Sequence, residues 1–466
     1  METFDTVSPI DGSVLLTNTY ADEAAIAKAL QLAQAAQLAW RQTPLAERAE
    51  ICRKAMDYFE RNKAAIAEEI TRQMGRPIRY AGGEVAGLQE RGNHMINIAE
   101  QALEDLSFSD KPGFKRYIRR EPVGVVLVLA PWNYPYLTAV NSIVPALMAG
   151  NAVVLKHSAQ TPLCAERFAQ AFLSAGLPEG VFQTLNLTHA QVERAVRAPE
   201  VNYVAFTGSV EGGSKMEAAA SGRFIGVGLE LGGKDPAYVR ADADLDYSIA
   251  GLVDGAFFNS GQSCCGIERI YVDRRVYDRF VEGFVALTEQ YVLGNPLDQD
   301  TTLGPVVSVK AAAFIQDQID QAIAAGAMAC VDRSRFAAAK GSLPKNYLVP
   351  QVLTRATHDM AIMSEETFGP VVGIMPVSSD EEALRLMNDS QYGLTASLWT
   401  QDLVMAEKLG TQIRTGTVFM NRCDYLDPAL VWTGVKNTGR GGTLSELGYH
   451  HLTQPKSFHL KLDINS

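Results

Sequence analysis

The chain has 466 residues, of which 47% are hydrophobic and 20% are charged, and its formal net charge is −11. A chain of this length exceeds one ordinary hydrophobic core, so we expect two or more domains, and its composition excludes an intrinsically disordered protein. The acidic balance argues against nucleic acid and anionic membranes as partners, because a negative surface repels phosphate groups.

The amino terminus and the apolar runs show no targeting or membrane segment. Residues 1–10 lack the basic and apolar regions of a signal peptide, and runs such as Val125–Ala130 are too short to span a bilayer. The six cysteines have no repeating spacing and no CxxC pair, which favours reduced thiols and argues against structural zinc. We therefore expect a cytoplasmic protein that contacts no membrane and holds no metal.

The first section of the chain has the pattern of helices. Residues 22–40 are rich in alanine and carry apolar side chains near helical spacing. Thr43 followed by Pro44 predicts the N-cap and first position of a second helix, which runs to about Phe59. A third helix is predicted over Lys63–Met74.

From residue 123 onward, short β-branched runs alternate with helical segments. We predict strands over Val125–Ala130, 152–156, 181–185, 202–206 and 225–231. The helical segments between them are Pro135–Met148, 162–175, 191–197 and 209–220. Continuous apolar strands that alternate with helices are typical of a parallel sheet covered on both faces, and such sheets bind ligands at the carboxyl ends of their strands.

A second series of the same kind follows Pro236 and predicts a second α/β domain. Its predicted strands are 237–239, 269–272, 371–376 and 417–421, and its predicted helices are 245–258, 275–291, 310–324 and Asp380–Asn388. Residues 115–120 alternate basic and apolar side chains, as a strand does, but the sequence shows no partner for them.

The segment FFNSGQSCCG at residues 257–266 is the first candidate for chemistry. A cysteine that follows a Gly-Gln turn can lie on an exposed bend with its sulfur free, and the thiolate is the nucleophilic form. Cys264 is therefore a candidate nucleophile. Alternatively, Cys264 and Cys265 are small apolar residues of a buried core, and this segment alone does not decide between the two.

Three further candidates stand where predicted strands end. Asn133 can direct an amide donor into a cleft, or can be a turn residue before a helix that starts with proline. Gly208 and Ser209 open a helix whose N-terminus favours phosphate, or form a plain βα turn with Ser209 as N-cap. Glu230 follows an apolar run, where burial raises the pKa of a carboxyl toward that of a useful base, or is a solvated strand end.

Together and in this order, these segments resemble the aldehyde dehydrogenase superfamily. The matching segments are 130–135, Lys156 with 160–162, 206–209, 230–233, 261–264, 366–370, and Asn388 with 392–395. Each motif is weak by itself, but their joint order and spacing are specific and cover nearly the whole chain. The sequence has no GxGxxG turn, and the family that it resembles also lacks one.

The resemblance implies an α/β fold with a Rossmann-like parallel-sheet cofactor domain, an α/β catalytic domain and a small β bridging sheet for oligomerisation. We predict an NAD(P)-binding domain over 1–104 and 123–231, a catalytic domain over 232–445, and oligomerisation strands within 105–122 and 446–466. The resemblance also implies a homodimer or homotetramer that acts on a small-molecule aldehyde.

The same resemblance implies a role for each matching residue. Cys264 attacks the aldehyde carbonyl, Asn133 and the Cys264 backbone N–H hold the resulting oxyanion, and Glu230 activates the water that releases the acid. The implied cofactor-binding residues are Trp132, Lys156, Ser158, Ala159, Gly208, Ser209, Leu231, Glu366 and Phe368. The implied substrate-binding residues are Tyr134, Leu137, Ser263, Cys265 and Trp432, with Thr138 and Asn141 along the same tunnel.

The sequence departs from the family pattern at positions that concern the cofactor. Many members carry a glutamate three residues after the lysine, where this chain has Ala159, so a 2′-phosphate meets no carboxylate and His157 or Ser158 can donate to it. We therefore predict that NADP is accepted, with NAD as the alternative. Residues 440–443 read RGGT and lack the glutamate that is often found after Gly-Arg. Cys265 has a second interpretation, as the partner of Cys264 in an oxidised adduct.

The substrate and the reaction leave alternatives open. Arg422 either pairs with a substrate carboxylate, which would suit a semialdehyde such as succinate semialdehyde, or lies on the surface. A CoA-acylating aldehyde dehydrogenase is a variant that Glu230 as base disfavours. A nicotinamide-independent cysteine hydrolase requires a histidine base, and none lies near Cys264 in the sequence. A non-catalytic role would need none of Cys264, Glu230 and Asn133.

Overall fold

The computed structural model describes residues 2–337 and 343–463. Its helices are α1 (Glu23–Trp40), α2 (Leu45–Arg61), α3 (Lys63–Met74), α4 (Ile78–Ala102), α5 (Pro135–Met148), α6 (Pro162–Ser174), α7 (His189–Arg197), α8 (Val210–Ala220), α9 (Leu245–Phe257), α10 (Tyr277–Thr288) and α11 (Val309–Ala324), followed by Ala361–Ser364, Asp380–Asn388, Leu403–Gly410 and Ser445–His450. Short 3-10 segments lie at Phe258–Gly261, Arg333–Phe336 and Lys436–Thr438.

The strands of the described chain assort into sheets. They are β1 (Thr3–Val7), β2 (Val14–Thr19), β3 (Leu106–Ser107), β4 (Phe114–Pro122), β5 (Val125–Ala130), β6 (Ala152–His157), β7 (Phe182–Thr184), β8 (Val201–Thr207), β9 (Gly226–Glu230), β10 (Asp235–Val239), β11 (Ile267–Asp273), β12 (Met328–Ala329), β13 (Gln351–Thr354), β14 (Val371–Val377), β15 (Thr395–Trp399), β16 (Thr417–Met420), β17 (Gly439–Arg440) and β18 (Thr453–Lys461). A six-stranded sheet has the order β17-β9-β8-β5-β6-β7, and a seven-stranded sheet has the order β12-β13-β14-β11-β10-β15-β16.

Strand β5 is central in the six-stranded sheet and pairs in parallel with β6 and β8, so that Val128 lies opposite Leu155 and Ala205. Every residue of β5 is buried, because helices cover both faces of the sheet, and this is why the strand has a continuous apolar sequence. The parallel strands place their carboxyl ends along one edge. The segments that follow β5, β8 and β9 therefore converge there, and they carry Asn133 and Glu230.

The strand predicted over 115–120 finds its partner at the other end of the chain. Strand β4 pairs antiparallel with β18, from Thr453 opposite Pro122 to Lys461 opposite Phe114, and β3 completes a three-stranded sheet. The rings of Tyr117 and Phe458 stack across the pair with their centres 4.5 Å apart. Residues 464–466 of the predicted segment 446–466, and residues 338–342 of the predicted catalytic domain, lie outside the described residues.

The α/β fold class predicted from the sequence is confirmed, whereas the domain boundaries remain a prediction. Helix α2 begins at Leu45 with Pro44 as its N-cap, one residue later than predicted. The sequence pattern does not predict the hairpin β1–β2, whose strands are largely exposed and so lack a continuous apolar run. None of the described helices has the length and apolar character that crossing a membrane requires.

Helix α4 spans 25 residues and is also absent from the prediction. Its sequence contains glycines, which lower helix propensity by about 1 kcal/mol each relative to alanine. Two of these glycines serve packing: a Cβ atom on Gly87 would lie 2.6 Å from a Leu137 methyl group, and one on Gly92 would lie 2.4 Å from the Met56 sulfur. The glycines therefore let α4 lie close to α5 and α2, beside the edge of the sheet where Asn133 lies.

Candidate active site

Two cavities meet at the carboxyl end of the six-stranded sheet. The deep cavity, of about 460 Å³, lies between α4, α5 and the loop after β16. The sheet cavity, of about 220 Å³, lies over the ends of β5, β8 and β9. The side chains that line both cavities are Thr138, Thr207, Glu230, Leu231 and Cys264. The candidate nucleophile and the candidate base thus share the wall between the cavities and are open to groups from either side.

A strained turn presents Cys264 at this wall. Asn259 and Ser260 have φ angles of 54° and 57°, in the left-handed region that few side chains adopt, and Gly261 follows with 71°. A Cβ atom on Gly261 would lie 2.2 Å from the Gly369 carbonyl oxygen, so only glycine fits. Such strain persists only where surrounding contacts enforce it, and it is concentrated at functional sites.

A buried ion pair supplies those contacts. Arg76 pairs with Glu84, and its guanidinium group also donates to Asn259 Oδ1 at 3.0 Å and to the Asn133 backbone oxygen at 2.6 Å. Glu84 in turn accepts from the Leu137 backbone N–H at 3.0 Å, in the first turn of α5. Through these bonds the ion pair joins the cysteine turn to the end of β5. Removal of either partner would leave the other charge buried and uncompensated, which is strongly destabilising. The sequence did not indicate Arg76, Glu84 or Asn259 as site residues.

Asn133 lies in the sheet cavity together with Cys264. It is buried, and its side-chain nitrogen donates to the Gln262 backbone oxygen at 3.3 Å. An amide carries two N–H groups, so this bond leaves a second donor for an oxygen bound beside Cys264. Asn133 precedes a helix that starts with proline and also lines the sheet cavity, and its role as a donor to a bound oxygen remains a prediction.

Two hydroxyl groups hold the Glu230 carboxylate. Thr207 Oγ1 donates to Glu230 Oε2 at 3.2 Å, and Thr443 Oγ1 donates to Glu230 Oε1. Burial raises the pKa of Glu230, and the two hydrogen bonds and the Arg91 guanidinium oppose that rise. A carboxylate bonded on both oxygens within a cavity wall is not the freely solvated strand end that was the alternative. A raised pKa suits a base that works near neutral pH.

The floor of the deep cavity is acidic. Asp424 Oδ1 accepts from Ser263 Oγ at 2.8 Å and from Cys265 Sγ at 3.0 Å, and burial raises the pKa of Asp424. The hydrogen bond with Cys264 and burial raise the pKa of the Cys265 thiol well above its usual value. A protonated, buried thiol is a poor nucleophile, which favours Cys265 as a cavity-lining residue over a partner in an oxidised adduct.

A second carboxylate, Glu366, faces the sheet cavity. Its Oε1 accepts from the Gly233 backbone N–H at 2.9 Å, and burial raises the pKa of Glu366 to about 7. Glu268 fixes the same loop by accepting from the Phe368 backbone N–H at 2.9 Å. The Phe368 ring meets the Trp132 ring edge-on, with centres 5.8 Å apart. An aromatic pair beside an available carboxylate oxygen fits a ligand that carries both a flat ring and hydroxyl groups.

The structure brings most of the predicted cofactor-binding residues to this cavity. Those that line it are Trp132, Gly208, Ser209, Leu231, Glu366 and Phe368. Ser209 is also the N-cap of α8, and its Oγ accepts from the Gly212 backbone N–H at 3.1 Å. Ser209 is thus an N-cap as one interpretation predicted, and it also lines the cavity, where a helix N-terminus favours an anionic group; its contact with a cofactor remains a prediction.

The other predicted cofactor residues lie at the end of β6. Lys156 is half-buried, and burial lowers its pKa. Ser158 Oγ accepts from the Gln160 backbone N–H at 3.2 Å, which leaves its own hydrogen for another acceptor. Ala159 places no charge beside these two side chains.

The prediction that His157 can donate to a 2′-phosphate is wrong. The ring is buried, its Nε2 lies 3.0 Å from the Pro135 carbonyl oxygen, and its Nδ1 lies 3.1 Å from Thr161 Oγ1. Burial lowers the pKa of His157 to about 4, so the ring is neutral at physiological pH. Side chains alternate along a strand, so His157 and Lys156 point to opposite faces of the sheet, and His157 lies against the start of α5 through its contact with Pro135.

The deep cavity contains all the predicted substrate-binding residues. These are Tyr134, Leu137, Ser263, Cys265 and Trp432, with Thr138 and Asn141. Arg422, in contrast, is exposed and stacks on the Tyr425 ring at 3.5 Å, which agrees with the surface alternative. No histidine is found among the described residues that line the deep and sheet cavities, and this disfavours a hydrolase with a histidine base.

Arg91 is a cavity residue that the sequence did not indicate. It is 8% exposed and donates only to neutral oxygens, Leu137 O at 3.0 Å and Asn141 Oδ1 at 3.4 Å. Within residues 2–337 and 343–463 it forms no ion pair. Glu84 and Arg91 are two helical turns apart and so share one face of α4, a signal that becomes visible only once α4 is known to be a helix.

The aldehyde dehydrogenase family model matches residues 1–458. The chain belongs to the aldehyde dehydrogenase family. It is 33% identical over 451 residues to the succinate semialdehyde dehydrogenase Sad of Escherichia coli strain K12, which covers 95% of each chain. It is 34% identical over 456 residues to the NADP+-dependent succinate-semialdehyde dehydrogenase of Mycobacterium avium strain 104, covering 97% of this chain and 95% of that one.

A solved structure agrees with these relatives. The succinic semialdehyde dehydrogenase of Streptococcus pyogenes, in complex with NADP+, superposes with a TM-score of 0.92 at 30% identity and covers 98% of this chain and 100% of its own. The family resemblance inferred from the sequence is confirmed, and with it the prediction that this aldehyde dehydrogenase is an oxidoreductase acting on aldehydes. The roles of individual residues remain predictions.

Proposed function

We propose that this aldehyde dehydrogenase oxidises an aldehyde to a carboxylic acid through a thioester on Cys264. The observation that carries the proposal is the position of Cys264 and Glu230 on the one wall that the deep and sheet cavities share. A panel of aldehydes assayed with NAD+ and with NADP+, followed by the absorbance of the reduced nicotinamide, tests it. Absence of turnover with every aldehyde and both cofactors would contradict the proposal.

The residues of the sheet cavity fit a nicotinamide dinucleotide. The N-terminus of α8 suits a pyrophosphate, the free oxygen of Glu366 suits a ribose hydroxyl, and the Trp132–Phe368 pair suits a flat ring. Such a cofactor supplies the hydride acceptor. A Cβ atom on Gly232 would lie 2.4 Å from Glu366 Oε2, so glycine keeps this carboxylate in place.

The chain's own residues carry the remaining steps. The Cys264 sulfur bonds to the aldehyde carbon, and the second N–H of Asn133 with the Cys264 backbone N–H stabilises the negative charge that develops on the oxygen. After oxidation the carbon is held as a thioester. Glu230 then takes a proton from water, whose oxygen attacks the thioester and displaces the Cys264 thiolate. Water, rather than coenzyme A, is the acceptor in this proposal because Glu230, the proposed base, lines the same two cavities as Cys264.

For the substrate we propose a short aldehyde with a carboxylate at its far end, such as succinate semialdehyde. Arg91 supports this choice because its guanidinium lies in the deep cavity without an anionic partner among the described residues. A guanidinium binds a carboxylate through two parallel hydrogen bonds, and burial strengthens them. The E. coli and M. avium relatives are both succinate semialdehyde dehydrogenases.

Substitution of Arg91 by methionine is expected to lower kcat/KM for succinate semialdehyde by about 10- to 100-fold, because a charge-assisted hydrogen bond is lost. Butanal has the same chain length without the carboxylate, and its kcat/KM should change by less than about threefold. The ratio of the two values is the measurement. Arg91→Lys keeps the charge but loses the two parallel N–H donors of the guanidinium, so its ratio of kcat/KM values should lie between those of the wild type and Arg91→Met. An unchanged ratio in Arg91→Met would rule out the Arg91 contact.

A second candidate is an aldehyde with a cationic end. Asp254 and Asp424 line the same cavity, form no ion pair with the described residues, and have pKa values raised mainly by burial. A buried carboxylate without an ion-pair partner is stabilised by a nearby cation, which lowers its pKa again. A trimethylammonium aldehyde of equal length, added to the panel, distinguishes the two: a higher kcat/KM than that for succinate semialdehyde favours the cationic substrate.

For the cofactor we propose that NADP+ is used at least as well as NAD+. Ala159 at the end of β6 leaves the neighbourhood of Lys156 and Ser158 without a carboxylate that would repel a 2′-phosphate. Ala159→Glu is expected to lower the affinity for NADPH by roughly 10- to 100-fold and to spare NADH, because like charges repel. Fluorescence titration with both reduced cofactors measures this. Ala159→Gln has the same size without the charge and should bind NADPH as the wild type does; equal losses in both variants would point to bulk instead.

We further propose a cytoplasmic homodimer or homotetramer. All six cysteines are free thiols, which supports a reducing compartment. The sheet β18-β4-β3 carries exposed apolar side chains such as Leu106 and Leu460 along its length, and strands with open edges are common subunit contacts. Light scattering of the purified chain determines the oligomeric state.

A further inference from the structure

Thr443 contacts Glu230 but lines neither the deep cavity nor the sheet cavity. Its hydroxyl group donates to Glu230 Oε1, while Thr207 donates to Oε2, so each carboxylate oxygen has one hydroxyl donor. A rear cavity of about 20 Å³ adjoins both threonines and Glu230, and its wall also includes Ser142 and Tyr203. The arrangement surrounds the carboxylate with neutral donors, whereas a carboxylate in this place would repel it.

The backbone holds Thr443 at a fixed distance from Glu230. Strand β17 pairs with β9 so that Gly439 lies opposite Glu230. Thr443 and Trp432 exchange backbone hydrogen bonds of 2.8 and 2.9 Å. The segment is therefore tied both to the strand that carries the base and to Trp432 in the wall of the deep cavity.

Besides the two neutral hydroxyl donors, a few charged or titratable side chains of the described residues lie around Glu230. Arg91 on α4 is the cation that lowers its pKa, and Tyr203 on β8 is close enough for Glu230 to raise the tyrosine pKa in addition to burial. His451 and Arg440 line the rear cavity; burial lowers the pKa of His451, and Arg440 is paired with Glu217 at 2.6 Å. Cys264 lines the deep and sheet cavities together with Glu230. The hydroxyl donors are thus the nearest groups that favour the ionised carboxylate.

We propose that Thr443 is a positioning residue for Glu230: its hydroxyl holds the carboxylate ionised at the shared cavity wall and so sets the lowest pH at which the thioester is hydrolysed. This inference rests on the proposed role of Glu230 as the base. A hydrogen bond to the charged form of an acid lowers its pKa, and burial raises it. Loss of the Thr443 hydroxyl therefore raises the pKa of Glu230, and hydrolysis moves to higher pH.

The test follows the acyl-enzyme directly. Wild type and variants are mixed with aldehyde and NADP+, quenched at intervals over about pH 5 to 9, and the mass of the thioester on Cys264 is followed in the intact protein. In Thr443→Val the midpoint of the rise in hydrolysis should move up by about one pH unit, which makes hydrolysis about tenfold slower below the midpoint. The initial burst of reduced nicotinamide should keep its amplitude, because the first hydride step does not need the base for water.

Two matched variants separate the hydroxyl from the loop. Thr443→Ser keeps the donor and should restore the wild-type midpoint. Thr433→Val removes a hydroxyl of the same segment that bonds to Gly441 rather than to Glu230, and its midpoint should not move. If Thr443→Val does not fold, Thr443→Ala removes the same donor with less bulk. A wild-type midpoint in a folded variant that lacks the hydroxyl, with hydrolysis still dependent on Glu230, overturns the Thr443 inference alone; wild-type hydrolysis in Glu230→Gln overturns the proposed function.

Discussion

Replacement of Cys264 by alanine is expected to lower kcat/KM for aldehyde oxidation by about 10⁴-fold or more, because the covalent intermediate cannot form without the sulfur. The cysteine turn is defined by the backbone conformation of Asn259 and Ser260 and is fixed by the hydrogen bonds of Arg76. None of these contacts involves the sulfur, so the fold should be retained. Initial rates over a range of aldehyde concentrations, at saturating NADP+, measure the loss, and circular dichroism checks the fold.

Cys330 provides the matched control for this substitution. It is half-buried at the edge strand region of the seven-stranded sheet, where its sulfur lies 3.2 Å from Thr354 Oγ1, outside both cavities. Cys330→Ala should leave turnover within about twofold of the wild type, because substitution of a partly exposed residue outside the active site has a small effect. Turnover in Cys264→Ala at more than a hundredth of the wild-type rate would contradict the assignment of Cys264 as nucleophile.

Replacement of Glu230 by glutamine is expected to slow release of the acid by about 10²- to 10⁴-fold, while one equivalent of reduced nicotinamide still forms in an initial burst. Glutamine has the same shape and can still bond to Thr207 and Thr443, but it cannot take a proton from water. Rapid mixing measures the burst, and intact-protein mass after the burst should show a long-lived thioester on Cys264.

The wild-type pH profile provides an independent check on the same residue. Because burial raises the pKa of Glu230, hydrolysis in the wild type should fall as the pH drops through that raised pKa, where the carboxylate takes up a proton. Glu230→Gln has no proton to take up at this position, so its residual hydrolysis should lose that limb. A burst that is slowed as much as the steady state would show that Glu230 acts in the first chemical step instead.

Short motifs that follow apolar runs in the sequence indicated the residues that meet at the ends of the parallel strands. Asn133, Gly208 and Glu230 each follow an apolar run, and in a parallel sheet such positions converge on one edge. The family resemblance is what connected Cys264 with these residues. The physical connection is Arg76, which pairs with Glu84 and donates both to the turn before Cys264 and to the Asn133 backbone oxygen, and these positions are far apart in the chain. No local pattern of charge or periodicity indicates such a link.

The deep cavity depended still more on tertiary contacts. Arg91 is on α4, a helix that residue propensities do not predict because its sequence contains several glycines. The free energy that offsets the low helix propensity of these glycines comes from close packing against Leu137 and Met56. His157 shows the opposite error: its place in the sequence beside Lys156 suggested a phosphate donor, but the alternation of side chains along β6 turned the ring into the core. Which face a side chain occupies is set by the sheet and not by its neighbours in sequence.

The sequence by itself predicted the α/β class and the parallel strand series, because both follow from local patterns of apolar runs and helical periodicity. It also indicated Cys264, Glu230 and Asn133 as candidate nucleophile, base and amide donor, through motifs whose joint order resembles the family, and these roles remain predictions. Tertiary structure alone decided which groups surround them: the two threonines on Glu230, the Arg91 guanidinium that forms no ion pair with any described residue, and the pairing of β4 with β18. The physical reason is that hydrogen bonds, burial and charge act over a few ångströms, and only the folded chain brings residues separated by hundreds of positions within that range.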